Sequence, residues 1–156
     1  MSKSLNKVLN KVLSENAITA WARFLRSSQS LLSRVEIALK ANKLPPLSWY
    51  DALLELHEHR ADGLRPFELQ KSMLLTQYNM SRLIDRMENE GYVERLHCSE
   101  DKRGHVIHIT KSGRSLLKKM WPIYKSVITT QFASKLDQDE INKLAQISLK
   151  IMVNND

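Results

Sequence analysis

Apolar residues recur every three to four positions along most of this 156-residue chain, a spacing that predicts long amphipathic helices. Residues 5–13, LNKVLNKVL, align Leu5, Val8, Leu9, Val12 and Leu13 on one stripe, with Lys3, Lys7 and Lys11 four apart. A second helix is predicted over 16–41. There Trp21, Leu25, Ser28, Leu32, Val35 and Leu39 alternate steps of four and three, flanked by Phe24, Leu31 and Ala38. That face is wider than one small domain needs to cover a single helix. Pro45-Pro46 ends it. Ser48, with Asp51 as capping-box partner, predicts a helix through Leu53, Leu54 and Leu56 to about Arg60, and Asp62-Gly63 predicts a turn.

Pro66 suits the first position of a short helix over 66–73 that carries Phe67, Leu69 and Met73 inward. Thr76 is an N-cap candidate for a helix ending at Glu90, with Gly91 beyond it and a stripe of Met80, Leu83, Ile84 and Met87. The period then shortens. Two strands are predicted, 92–98 and 105–109, joined by the polar loop 99–104. Thr110 caps a long helix with Leu116, Leu117, Met120, Ile123, Tyr124, Val127 and Ile128 on its apolar side, which Pro122 should kink. Asp137 and Glu140 form a capping box for a last helix bearing Ile141, Leu144, Ile147, Ile151 and Met152. The order predicts a mainly α fold with a small β-hairpin wing: a winged helix-turn-helix region, 46–121, between end helices, 1–44 and 122–156.

Composition narrows the function. The net charge is +7, and the single cysteine excludes an internal disulfide. The chain is expected to be cytoplasmic, with no signal-peptide pattern at its start and no apolar run long enough to span a bilayer. The excess charge favours a polyanionic partner. Its distribution is uneven: residues 1–45 hold eight basic and two acidic residues, 46–59 none and three, and 60–120 twelve and eight. The centre is only modestly basic, so the placement of single residues carries the argument for DNA.

The helix over 76–90 divides its faces. Opposite its apolar stripe lie Gln77, Tyr78, Ser81, Arg82, Asp85 and Arg86, with Asn79 on the flank, and acidic residues are missing from its first two turns. Such side chains near a helix N-terminus read base edges, and the helix dipole there favours phosphate. In the hairpin loop, Asp101 can accept from Arg103 and hold its guanidinium in one direction, suited to a narrow minor groove.

From Leu69 to Gly113 the chain resembles the multiple-antibiotic-resistance regulator (MarR) family of bacterial winged-helix repressors. The shared features are Ser81-Arg82-Leu83-Ile84-Asp85-Arg86-Met87-Glu88, Glu90-Gly91-Tyr92-Val93-Glu94-Arg95, Asp101-Lys102-Arg103-Gly104 and Ile109-Thr110-Lys111-Ser112-Gly113. Residues 44–51, LPPLSWYD, look like the family's entry into the second helix. The resemblance implies a homodimer joined through its end helices, with two winged helices on adjacent major-groove faces of a pseudo-palindromic operator. Expected major-groove contacts are Gln77, Asn79, Ser81 and Arg82, with Thr76 and Tyr78 on the backbone. In the wing, Arg103 enters the minor groove, Asp101 orients it, and Lys102 and His105 meet phosphates. The resemblance also implies release by a small aromatic or phenolic effector, with Trp21, Trp49, Tyr50 and Tyr124 as candidate lining.

Other chemistries find less support. No Gly-rich phosphate loop, nucleophile elbow or paired-carboxylate pattern points to an enzyme, and no cofactor is expected. His57 and His59 lie two apart and point to different sides of a helix; with His97, His105 and His108 they read as exposed histidines, and no metal is expected. Cys98, near Arg95, His97 and Lys102, offers a redox-responsive alternative, though a packed cysteine is the simpler reading. A winged-helix adaptor that binds protein is another, and the basic arm Lys3–Lys11 could serve a membrane surface.

Overall fold

The structure, a computed structural model, describes residues 13–74, 79–97 and 104–152. The predicted basic arm over 5–13 lies almost wholly outside them. In chain order the described elements are α1 (Glu15–Ala41), α2 (Leu47–Glu58), α3 (Pro66–Ser72), α4 (Met80–Asn89), β1 (Val93–His97), β2 (His105–Ile109), α5 (Lys111–Val127) and α6 (Gln138–Met152). A π-helical turn, Ile128–Phe132, and a 3-10 turn, Ala133–Lys135, link α5 to α6. The chain forms two compact units, one up to Arg34 and one from Val35 onward.

What is described of the first unit is the N-terminal part of α1 and the two residues before it. Ser14 Oγ accepts from Ala17 N at 3.1 Å and caps the helix. Its apolar face stays open: Ile18, Trp21, Phe24 and Leu25 are all exposed.

In the second unit α1 ends on a tight reversal. Lys43 N donates to Lys40 O and Leu44 N to Leu39 O, both at 3.0 Å, with Lys43 at φ 55°. This is the Schellman geometry with lysine where glycine is usual. Lys43→Gly is expected to raise stability by roughly 0.5–1 kcal/mol, because relief of left-handed strain outweighs the added freedom of the unfolded chain. A urea titration reads it.

The start of α2 differs from expectation. Pro46 is the N-cap, and Glu36 Oε1 of α1 accepts from Leu47 N at 3.2 Å. The Ser48–Asp51 capping box does not form. Asp51 is buried and its Oδ1 accepts from Leu74 N at 3.0 Å, fastening the segment after α3 onto α2. In α3, Leu69 and Met73 point inward but Phe67 is 55% exposed, with Lys71 Nζ 5.6 Å from its ring centroid. Residues 69 and 73 share a face, and residue 67 lies about 200° round the helix from 69.

The core gathers Leu39 from α1, Leu53 and Leu56 from α2, Leu69 from α3, Ile84 and Met87 from α4, Val93 and Ile107 from the hairpin, and Met120 from α5. The hairpin is antiparallel, with Val93 opposite Ile109 and His97 opposite His105. Leu64 adds a bridge on the outer edge of β2, its N–H and C=O bonded to Ile107 at 3.1 and 2.8 Å. Gly63, at φ 69°, makes that approach possible: a Cβ there would lie 2.7 Å from Ile107 O. Helix α5 runs through Pro122. The Asp137–Glu140 box forms as predicted, at 2.8 and 2.9 Å. Helix α6 buries no residue; Ile147, Leu149, Ile151 and Met152 are all exposed.

Candidate nucleic-acid interface

Helix α4 is held from one side only. Met80, Leu83, Ile84 and Met87 are buried, while Ser81, Arg82, Asp85 and Arg86 are exposed on the other face. The helix starts later than Thr76. Asn79 is its N-cap, with Oδ1 accepting from Arg82 N at 3.1 Å. Asparagine caps as well as threonine, and the buried stripe itself begins at Met80. No acidic residue stands in the first turn to oppose an anion. At the other end Tyr92 N donates to Met87 O and Gly91 N to Glu88 O, both at 2.9 Å, with Gly91 at φ 77°. That Schellman turn sends the chain directly into β1.

A charge clamp fixes the hairpin to α4. Arg95 on β1 pairs with Asp85 at 2.5 Å and also with Glu88, whose second oxygen accepts from Arg95 N at 3.2 Å. Asp85 and Glu88 are three apart and so share one side of the helix. Sequence reasoning missed this contact, placing Asp85 on the DNA-facing side and Arg95 near Cys98. The opposed charges either side of Gly91 were the available signal. Arg95→Ala is expected to cost about 1 kcal/mol at low salt and less at high salt, since the groups are partly exposed. Urea titrations at two ionic strengths check it.

The junction into α5 locks the same corner. Thr110 Oγ1 donates to Gly91 O at 2.7 Å and accepts from Gly113 N at 3.1 Å, while Thr110 N donates to Tyr92 O at 3.1 Å. One threonine thus ties the end of α4 to the start of α5.

The sequence profile of the MarR family matches residues 43–104. This chain carries a MarR-family winged-helix domain. Transcriptional repressor MprA of Escherichia coli strain K12 is 27% identical over 101 residues, 65% of this chain and 57% of that protein. The match thus spans little more than half the relative's length. AbsC, a MarR family transcriptional regulator from Streptomyces coelicolor, is 26% identical with a TM-score of 0.78, covering 91% of this chain and 95% of that one. Sco3205, a MarR family regulator of the same organism solved in complex with DNA, shares the fold at a TM-score of 0.81 and 24% identity, over 89% of this chain and 90% of that one.

Within the MarR-family match, the expected DNA contacts Asn79, Ser81 and Arg82 gather at the exposed start of α4; His105, just beyond it, is exposed where β2 begins. Thr76, Gln77, Tyr78, Asp101, Lys102, Arg103 and Cys98 lie outside the described residues. Among the described residues, no group of three or more metal-ligating side chains occurs, and no helix is long and apolar enough to cross a membrane. His59, His97 and His105 are exposed, as expected. His57 and His108 are instead half-buried, and the Nδ1 of His57 has no hydrogen-bond partner.

Of the aromatic candidates in the second unit, two meet and one packs apart. Tyr50 and Tyr124 meet edge-on at 5.1 Å, and Trp121, absent from the expected set, stacks on Tyr50 at 6.2 Å. Trp49 faces elsewhere and packs on Tyr92 at 5.8 Å, because neighbours on a helix point about 100° apart. Trp21 stands on the exposed face of α1. Burial raises the pKa of both Tyr50 and Tyr124; the neighbouring Tyr124 adds to the first and Asp51 to the second. Both phenols therefore stay neutral and able to donate at physiological pH.

Proposed function

We propose that this protein is a cytoplasmic transcriptional regulator, a repressor, that binds a pseudo-palindromic operator in double-stranded DNA as a homodimer. The observation that carries the reading is α4 itself: a helix buried along one face, free of acid in its first turn, presenting Ser81 and Arg82 outward and buttressed by the hairpin through Arg95. That is the form of a helix that enters a major groove N-terminus first. Asn79 would meet DNA through its amide nitrogen, its oxygen being the cap acceptor. Gln77, Thr76 and Tyr78 precede it, and the wing residues Asp101, Lys102, Arg103 and His105 extend the contact to the flanking minor groove and phosphates. Residues 46–121 form the reading head, and the end helices, 1–44 and 122–156, join two copies. In favour of that joining, α6 has no buried residue and α1 is widely exposed on its apolar side.

Selection of bound duplexes from a random pool tests the reading: a two-fold symmetric site supports it, and no enrichment overturns it. Affinity should fall steeply with salt as neutralised phosphates release counterions. Retention of a protein partner without salt-sensitive duplex binding would favour the adaptor reading instead. On a selected site, Arg103→Ala is expected to weaken binding by about 5- to 150-fold, the loss of one specific guanidinium contact, with the dimer intact. Unchanged affinity in a gel-shift titration would remove the wing from the account.

The proposal includes a small-molecule effector, with Tyr50, Trp121 and Tyr124 as its candidate lining. Three aromatic faces and two neutral phenols suit a small aromatic carboxylate or phenol. Such a ligand releases DNA only if it favours a spacing of the reading heads unfit for the operator.

A further inference from the structure

The hairpin register brings together two histidines that lie eight residues apart in sequence. Ile107 spends its N–H and C=O on Leu64, away from β1. By the two-residue alternation of a strand, His105 also turns its polar backbone groups away from β1. His97 and His105 are therefore a non-hydrogen-bonded cross-strand pair, the kind whose side chains approach most closely. Their ring centroids are 4.5 Å apart, with the planes inclined at 49°, and both residues are exposed.

We propose that His97 and His105 form a two-imidazole chelate for a divalent transition-metal ion of the copper or nickel type at the stem of the hairpin. The spacing lets both rings reach one ion. A metal–nitrogen bond is about 2.0–2.1 Å, and a ring centre lies about 1.1 Å beyond the nitrogen, so each centroid stands about 3.2 Å from the ion. Two such bonds at right angles separate the centroids by about 4.5 Å, whereas a tetrahedral angle separates them by about 5.2 Å. The observed 4.5 Å lies within reach of both, since two exposed imidazoles can turn to meet one ion, and Cu(II) stands above zinc in affinity for such nitrogen ligands. Imidazole also disfavours the harder magnesium and calcium ions. Water completes the coordination, so the affinity belongs in the micromolar range and the ion exchanges freely. Once bound, it ties the last residue of β1 to the first of β2, where the loop leaves the sheet, and pins the stem of the wing. The site does not depend on the DNA-binding reading.

Calorimetric titration of the full chain with Ni2+ alone tests it, with circular dichroism confirming the fold of each variant. One ion per chain is expected. His97→Ala and His105→Ala should each weaken binding about tenfold or more. His59→Ala, an exposed histidine on another element, should leave it unchanged, and Mg2+ should give no binding heat. Absence of Ni2+ or Cu2+ binding by the unaltered chain up to millimolar ion, or binding by His97→Ala as tight as the unaltered chain's, overturns the proposal.

Discussion

Changing Ile147 and Ile151 together to aspartate is expected to give a folded chain that sediments as a monomer and has lost most of its operator affinity. The two residues are four apart on α6 and so share one face, at 55% and 62% exposure. Leu149 and Met152 are exposed on the same helix, at 63% and 76%. A 15-residue helix with no buried side chain has little tertiary packing of its own to hold it, and helices of that length are marginal in isolation. In the proposed homodimer a second copy supplies the missing cover. Burying each isoleucine contributes about 1.5–3 kcal/mol, and the symmetric interface counts both residues twice. Aspartate removes that gain and adds charges that must be desolvated. If the two positions face only water, the substitutions should stay within about 0.5 kcal/mol and change nothing in solution. Separating the reading heads also removes the advantage of binding two half-sites at once, about 100- to 10,000-fold in affinity. Sedimentation velocity, circular dichroism and gel shift read the three consequences separately. A dimer that survives the double substitution sinks α6 as the interface.

How far the molecule was legible in its sequence depended on how local each signal was. Helix positions followed from period and caps: Thr110, the Asp137–Glu140 box and the stripe Met80, Leu83, Ile84, Met87 all stand where the pattern put them. The failures were tertiary. Asp51 has the spacing of a capping-box residue after Ser48, but its carboxylate serves a more distant N–H, that of Leu74. A buried carboxylate goes where the otherwise unpaired donor is, and local spacing does not say where that is. Phe67 looked inward because it is apolar, yet the geometry of a seven-residue helix turns it outward once Leu69 and Met73 face the core. Arg95 reaches Asp85 and Glu88, and His97 reaches His105, only through the hairpin's docking and register. The register in turn depends on loop length and burial of alternate residues, which single positions do not announce. The aromatic contacts were hidden in the same way: Trp49 and Tyr50 are adjacent in sequence but face different neighbours.

Gly113→Ala is expected to destabilise the protein by about 2–3 kcal/mol, although the residue lies in a helix where alanine normally gains about 1 kcal/mol over glycine. Backbone strain is not the cause; the obstacle is space. A Cβ at Gly113 would lie 2.2 Å from Tyr92 O and 2.8 Å from Ile109 Cγ1. The isoleucine methylene can shift, but the carbonyl cannot shift cheaply. Tyr92 O accepts from Thr110 N, and Tyr92 N donates to Met87 O in the turn that ends α4. Moving the carbonyl therefore costs a hydrogen bond or shifts Tyr92, whose N–H closes α4. The substitution should lower the urea midpoint, while Ser115→Ala on the exposed face of α5 should change it little. It should also weaken operator binding under conditions where the variant is still fully folded, because α4 is aimed by the displaced peptide. Full stability in the alanine variant would mean that α5 docks on the hairpin more loosely than the Tyr92–Gly113 approach requires. Lost stability with native operator affinity would mean that the aim of α4 is set from its buried face alone.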